Sequence, residues 1–144
     1  MATIREKSID YLSRREHSRL ELKQKLLIKQ FSEQDINAEL DFLISKDLQS
    51  DERFAHTYVR SRKNAGFGPK RIESELRERG VDEAVIAAAV DSRSPEWQTQ
   101  MIAVWLRKFP HPSQNKAQQF RFLSYRGYTA EAINKLIFSS DYEL

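Results

Sequence analysis

The chain has 144 residues, of which 31% are charged and 10% aromatic, with a formal net charge of +3 and no cysteine. This length suits one domain or a short repeat array, and the many aromatic side chains argue against disorder. The lack of cysteine excludes disulfide bonds, thiolate catalysis and zinc sites with cysteine ligands.

The N-terminal residues are polar and lack the apolar core of a signal peptide. The longest apolar run, 84–90, is far shorter than the ~20 residues that a membrane span needs. We therefore expect a cytoplasmic protein.

The first predicted unit, residues 1–49, contains three helices that each follow a capping residue. Thr3, Ser18 and Ser32 precede apolar residues with a helical period, and Glu21 stands three residues after Ser18. That spacing is typical of a capping box.

The second predicted unit, residues 50–93, also contains three short helices. Ser50 and Asp51 can cap the first, and the segment 66–69, Gly-Phe-Gly-Pro, interrupts the helical pattern. Pro69 suits the first turn of the next helix, where a missing N–H costs nothing. Gly80 is expected to end that helix, and Asp82 to cap the third.

The third predicted unit, residues 94–144, begins with two tryptophans on one helical stripe. Trp97 and Trp105 are eight residues apart, and such a stripe more often forms core than a platform for stacking bases. Ser113 or Asn115 is expected to start the next helix. The inward residues predicted for that helix are Ala117, Phe120 and Leu123.

A six-column pattern recurs in the three units at constant offsets. The columns have distinct physical roles, in the order core leucine, helix stop, staple, N-cap and two core positions. The columns are Leu26, Leu76 and Leu123; Gln30, Gly80 and Gly127; Phe31, Val81 and Tyr128; Ser32, Asp82 and Thr129; Ile36, Ile86 and Ile133; and Leu40, Val90 and Ile137. Because Gln30 stands where the other units have glycine, we expect a less sharp turn there.

The predicted fold class is all-α, with no strand, since the apolar periodicity is helical throughout. Nine helices would form three tandem three-helix repeats, and a repeat that cannot bury its apolar surface alone stacks on its neighbours. The sequence predicts an elongated, curved array of these repeats.

The residues give little support for an enzyme, a metal site or a cofactor. His17, His56 and His111 are isolated from one another, and no His-carboxylate spacing typical of a metal site occurs. The segment around Gly66 resembles neither a P-loop nor a dinucleotide fingerprint.

A basic run in the middle unit is the feature that predicts a partner. Six cations and no carboxylate occur in it: Arg53, Arg60, Arg62, Lys63, Lys70 and Arg71. We expect all of these side chains except Arg53 to be mostly exposed, with Arg60, Lys63 and Arg71 beside each other. An ordinary solvated face is one interpretation; the other is a contact with nucleic-acid phosphate or an acidic protein groove.

Three segments resemble the RecX family of recombination regulators. The opening one is Tyr11-Leu-Ser-Arg-Arg-Glu-His-Ser18 with Glu21-Leu22 and Lys25-Leu26. The central one has Asp51-Glu-Arg-Phe54-Ala, Tyr58, Arg62, Gly66, Gly68-Pro69, Arg71-Ile72, Glu75-Leu76 and Gly80. The closing one has Arg121-Phe122-Leu123, Arg126-Gly127-Tyr128 and Ile133.

The resemblance implies three tandem three-helix repeats and binding to the RecA recombinase, mainly to its filament on single-stranded DNA. We expect a monomer. It also implies inhibition of strand exchange and of the coupled ATPase. Two alternatives remain: a single-stranded nucleic-acid binder, which would need exposed aromatics in a basic groove, and a generic helical-repeat adaptor. Phe67 is the best candidate for an exposed aromatic.

Overall fold

The computed structural model of the chain describes residues 1–111 and 114–139, and these residues form helices without any strand. The helices are α1 (Ile4–Arg14), α2 (Arg19–Ile28), α3 (Glu33–Ser45), α4 (Asp51–Asn64), α5 (Pro69–Glu78), α6 (Glu83–Val90), α7 (Glu96–Lys108), α8 (Lys116–Arg126) and α9 (Ala130–Ile137). The all-α prediction is confirmed for the described part. Ser113 and the last residues of the predicted third unit, 140–144, lie outside it.

Most helices begin where the capping residues predict. The side chains of Thr3 and Ser18 each accept a backbone N–H three residues on, and Glu6 and Glu21 return the bond in two capping boxes. The Ser32 side chain accepts from the Asp35 N–H in the same way. These bonds satisfy N–H groups that have no partner within the helix, which explains the starts of α1, α2 and α3.

The three helix-stop positions of the repeat lie in one type of left-handed turn. The φ angles are 69° at Gln30, 78° at Gly80 and 103° at Gly127. In each turn the N–H of the next residue donates to the carbonyl five residues earlier. The bonds run from Phe31 to Leu26 at 3.4 Å, from Val81 to Leu76 at 3.2 Å and from Tyr128 to Leu123 at 3.2 Å. These are Schellman turns. The prediction of a less sharp turn at Gln30 is wrong, because its backbone adopts the left-handed conformation despite its side chain.

The chain divides into two units, and the division passes through the middle predicted repeat. Unit 1 contains Met1–Tyr58 and Leu76–Ala89, and unit 2 contains Val59–Glu75 and Val90–Leu144. The repeat boundaries 1–49, 50–93 and 94–144 therefore stay a prediction. In unit 1, a fully buried core lies between α2 and α3: Leu22, Leu26, Ile36, Leu40 and Leu43.

In unit 2, α7, α8 and α9 enclose the core. Its buried residues are Met101, Val104, Trp105, Leu123, Tyr128, Ile133, Leu136 and Ile137. Trp97 and Trp105 are buried, which confirms their prediction as core residues. Ala117, however, is exposed and Gln119 is buried in its place. The reason is a hydrogen bond of 2.8 Å, in which the Trp105 indole Nε1 donates to Gln119 Oε1.

Candidate functional site

The loop between α4 and α5 is fixed by the end of α8. The Gly68 N–H donates to the Arg126 carbonyl at 2.7 Å, and the Lys70 N–H donates to the Gly127 carbonyl at 3.0 Å. A Cβ on Gly68 would lie 2.5 Å from the Gly127 carbonyl carbon, so only glycine permits this approach.

Tyr128 forms a buried hydrogen bond to the same loop. Its hydroxyl donates to the Gly66 carbonyl at 3.2 Å. Burial raises the pKa of Tyr128 to about 12, so the phenol stays a neutral donor at physiological pH. The loop that carries Phe67 is thereby held at both of its glycines.

Phe67 is the centre of a cluster of guanidinium groups. The guanidinium carbons of Arg62, Arg71 and Arg126 lie 3.9, 4.5 and 4.9 Å from its ring centroid. A positive group over an aromatic face is attracted by the ring quadrupole. We call Phe67 and these three arginines the Phe67 cluster. Phe67 is half-buried, so its prediction as the best exposed aromatic is wrong, since the guanidinium groups cover it.

One carboxylate balances part of the positive charge of the Phe67 cluster. Glu75 accepts two bonds from Arg62, at 2.9 and 2.8 Å, and one from Arg71 Nε at 3.3 Å. Arg126 instead donates from Nη1 to the Ala65 carbonyl at 3.1 Å. Three positive charges therefore face one negative charge, and the surface can attract an anionic partner.

The other predicted site residues lie in different surroundings. Arg53 belongs to unit 1 and pairs with Glu16 at 2.7 Å and Asp47 at 3.3 Å. Its hydrogen bond with Glu16 raises the pKa of Arg53. Lys63 pairs with Glu96 at 2.6 Å and lies 4.5 Å over the Trp97 ring.

The prediction of a mostly exposed set is wrong for three of its members. The side chains of Arg62, Lys63 and Arg71 are 27%, 18% and 30% exposed. The basic run has no carboxylate of its own, but the fold brings Glu75 and Glu96 to it. Arg71 and Arg62 both form ion pairs with Glu75, whereas Lys63 forms an ion pair with Glu96. Arg60 and Lys70 are exposed as expected.

Sequence reasoning missed the contribution of α8. No carboxylate occurs in residues 97–130, and five cations do. Arg126 from this run completes the Phe67 cluster. Tyr125 beside it is 75% exposed, and Arg71 donates to its carbonyl at 3.2 Å. A count of acids along the chain, rather than within each unit, could have found this second run.

The described residues contain no group of three His, Cys, Asp or Glu side chains that could hold a metal ion. The buried His17 uses both ring nitrogens: Nδ1 is 3.0 Å from the Arg15 carbonyl and therefore donates, while Nε2 accepts from Lys25 at 2.8 Å. Burial lowers the pKa of His17. Both ring nitrogens of His17 are therefore engaged within unit 1. None of the described helices is both long and apolar enough to cross a membrane.

The comparisons with known proteins point to one family. Family models for the first and second three-helix domains of RecX match residues 5–43 and 50–90. The chain is 39% identical to "Regulatory protein RecX" of Pseudomonas putida (strain GB-1), over 96% of this chain and 91% of that one. Identity to the protein of the same name from Pseudomonas entomophila (strain L48) is 38%, over 96% and 92%.

Solved structures show the same fold. The crystal structure of RecX from Lactobacillus salivarius superposes with a TM-score of 0.80 and covers 93% of this chain and 92% of that chain, at 23% identity. A second crystal structure of regulatory protein RecX gives a TM-score of 0.77, over 93% of this chain and 72% of that one, also at 23% identity. With two domain models in order and relatives that match nearly end to end, the chain belongs to the RecX family.

Proposed function

We propose that this protein binds the RecA recombinase, mainly as its filament on single-stranded DNA, and inhibits strand exchange and the coupled ATP hydrolysis. It acts in the cytoplasm, as a monomer and by binding alone, without catalysing a reaction. The observation that carries the proposal is family membership, because the relatives that match 96% of this chain are named regulatory proteins.

The charge of unit 2 supports this proposal. Single-stranded DNA in such a filament carries phosphate charge, and a positive surface is attracted to phosphates and to an acidic protein groove alike. The Phe67 cluster has an excess of positive charge, and its arginines are held by ring contacts and hydrogen bonds. Such preorganised groups lose little freedom on binding.

We propose the six cations of the basic run as the contact with the filament, with unequal contributions. Arg60 and Lys70 are exposed and have no ion pair in the described part of the chain, so they can form new bonds at least cost. Arg62 and Arg71 present the outer edge of the Phe67 cluster. Arg53 and Lys63 contribute less, because Glu16, Asp47 and Glu96 already compensate their charge.

The test is a charge reversal that leaves the Phe67 cluster intact. In Arg60→Glu/Lys70→Glu, like charges would face an acidic groove, which costs several kcal/mol at an interface. We expect the concentration needed for half-inhibition of RecA-driven ATP hydrolysis to rise about tenfold or more. Surface changes of this kind alter stability by about 0.5 kcal/mol or less each, so the variant should melt like the parent.

The matched control is Lys29→Glu/Lys46→Glu in unit 1. Both lysines are exposed, and the substitution changes the net charge by the same amount. The control should inhibit RecA within about twofold of the parent. If the parent chain fails to inhibit RecA on single-stranded DNA, the proposed function is refuted. Equal inhibition by both variants would place the contact outside the basic run.

A further inference from the structure

A pocket of about 230 Å³ opens in unit 2 beside the ring of Phe122. Its lining contains three cations and, among the described residues, no carboxylate: Ala65, Val104, Arg107, Lys108, Phe122 and Arg126. We call it the Phe122 pocket. Its volume suffices for one phosphate group or a short acidic side chain.

The cations of the Phe122 pocket are not neutralised within the described part of the protein. Arg126 and Lys108 lie over the Phe122 ring, with the guanidinium carbon 5.1 Å and the lysine Nζ 5.6 Å from its centroid. The hydrogen bond from Arg126 to the Ala65 carbonyl fixes the guanidinium at the pocket edge. Arg107 is exposed and has no ion pair with any described residue. The pocket thus differs from the inner side of the Phe67 cluster, where Glu75 is the counter-charge.

An exposed ring adjoins these cations along α8. Tyr125, the neighbour of Arg126, exposes 75% of its surface. The Arg71 guanidinium lies 5.0 Å from the Tyr125 ring centroid and also holds the Tyr125 carbonyl. An exposed aromatic beside uncompensated cations is the combination that binds single-stranded nucleic acid, because bases stack on rings while phosphates bind cations.

We propose that the Phe122 pocket and Tyr125 together bind single-stranded nucleic acid directly, with a phosphate at Arg107, Lys108 and Arg126 and a base on Tyr125. An acidic protein segment would use the cations but gains little from an exposed ring. A duplex is disfavoured because its bases are stacked on each other and cannot reach Tyr125. The inference does not rest on RecA binding.

The experiment titrates the full chain, without RecA, into a fluorescein-labelled oligothymidylate of about 20 nucleotides, long enough for a single-strand site, and follows fluorescence anisotropy. Arg107→Glu/Lys108→Glu should weaken binding at least tenfold. It should also make the slope of log K against log salt shallower by about 0.7, since the pocket holds one phosphate and each single-strand phosphate contact contributes about 0.7. The control Lys29→Glu/Lys46→Glu has the same net charge and should bind within about twofold of the parent.

Ring substitutions separate stacking from charge. Tyr125→Ala should weaken binding about fivefold or more, because a base stacked on an aromatic ring is worth ~1–3 kcal/mol. Tyr125→Phe keeps the ring and should bind like the parent. Because Tyr125 is exposed, both variants should melt at the parent's temperature.

Three results would overturn the inference. The first is parent-like binding by both the double reversal and Tyr125→Ala. The second is equal weakening in the unit 1 control, which would show a response to net charge alone. The third is competition by polyglutamate as effective as that by unlabelled oligothymidylate at equal charge, which would assign the pocket to acidic protein segments.

Discussion

The turn after α2 and the turn after α8 follow the same backbone path, but their surroundings differ. Gln30 and Gly127 both adopt positive φ and both precede a residue bonded five positions back. The Gln30 side chain is exposed to solvent. At Gly127, by contrast, an added Cβ would lie 2.4 Å from the Arg71 Cβ and 2.8 Å from the Arg71 nitrogen.

This comparison separates two reasons for a glycine at a helix end. A left-handed residue with a Cβ costs roughly 1–2 kcal/mol, which a stable fold can absorb at a single position. A Cβ that overlaps a neighbouring backbone forces that backbone to move. The turn at Gln30 carries only the first cost. At Gly127 the start of α5 packs on the turn, and both costs apply.

The largest effect is therefore expected for Gly127→Ala. The new Cβ would displace the start of α5 and weaken the bonds from Gly68 and Lys70 to the end of α8. We expect a loss of about 3–5 kcal/mol in the free energy of unfolding, measured by urea denaturation. Gln30→Ala is the matched control, because it keeps a Cβ at positive φ in an open turn, and it should change stability by less than about 0.5 kcal/mol. A similar loss in both variants would contradict the comparison.

An intermediate effect is expected for Gly80→Ala. Its added Cβ would lie 2.9 Å from the Leu20 Cβ, which belongs to a side chain rather than a backbone. The Leu20 Cβ moves only together with its backbone, so a small shift of α2 or of the turn is needed. No backbone atom is among the nearest neighbours of the added Cβ, in contrast to Gly127, and we therefore expect a loss of about 1–3 kcal/mol by the same denaturation. A loss as large as that of Gly127→Ala would mean that overlap with a side chain costs as much as overlap with a backbone.

The smallest effect, and one of opposite sign, is expected for Gln30→Gly. Glycine removes the strain of positive φ, although it also increases the freedom of the unfolded chain. We expect a gain of up to about 1 kcal/mol, seen as a melting temperature a few degrees higher. Destabilisation would show that the Gln30 side chain contributes to unit 1 in a way that its exposure does not reveal.

Local signals predicted the helices well because the information lies within a few residues of each boundary. Thr3, Ser18 and Ser32 cap helices through bonds to residues three positions on. The inward position of Ala117 was wrong because α8 buries a polar residue, Gln119, to satisfy the Trp105 indole. Apolar periodicity cannot predict that an amide side chain is buried because it accepts a hydrogen bond from another helix.

Only part of the candidate site could be predicted, because its residues come from segments that are distant in the sequence. Arg62 and Arg71 could be identified from the basic run, and both belong to the Phe67 cluster. Arg126 is far beyond Arg71 in the chain, and only the bonds of Gly68 and Lys70 to the end of α8 bring it to the same ring. The exposure of Arg62, Lys63 and Arg71 was overestimated because their carboxylate partners, Glu75 and Glu96, follow the run in sequence.

The position of the two tryptophans makes unit 2 separately observable. Trp97 and Trp105 are the only tryptophans of the sequence, and both are buried in unit 2. Tryptophan fluorescence, excited at a wavelength that tyrosine does not absorb, therefore reports the environment of that unit. Far-ultraviolet circular dichroism instead reports helices throughout the chain. Coincident denaturation curves from the two signals would show one cooperative transition. Separate midpoints would instead show that the unit with the Phe67 cluster unfolds as a block of its own, with its own stability.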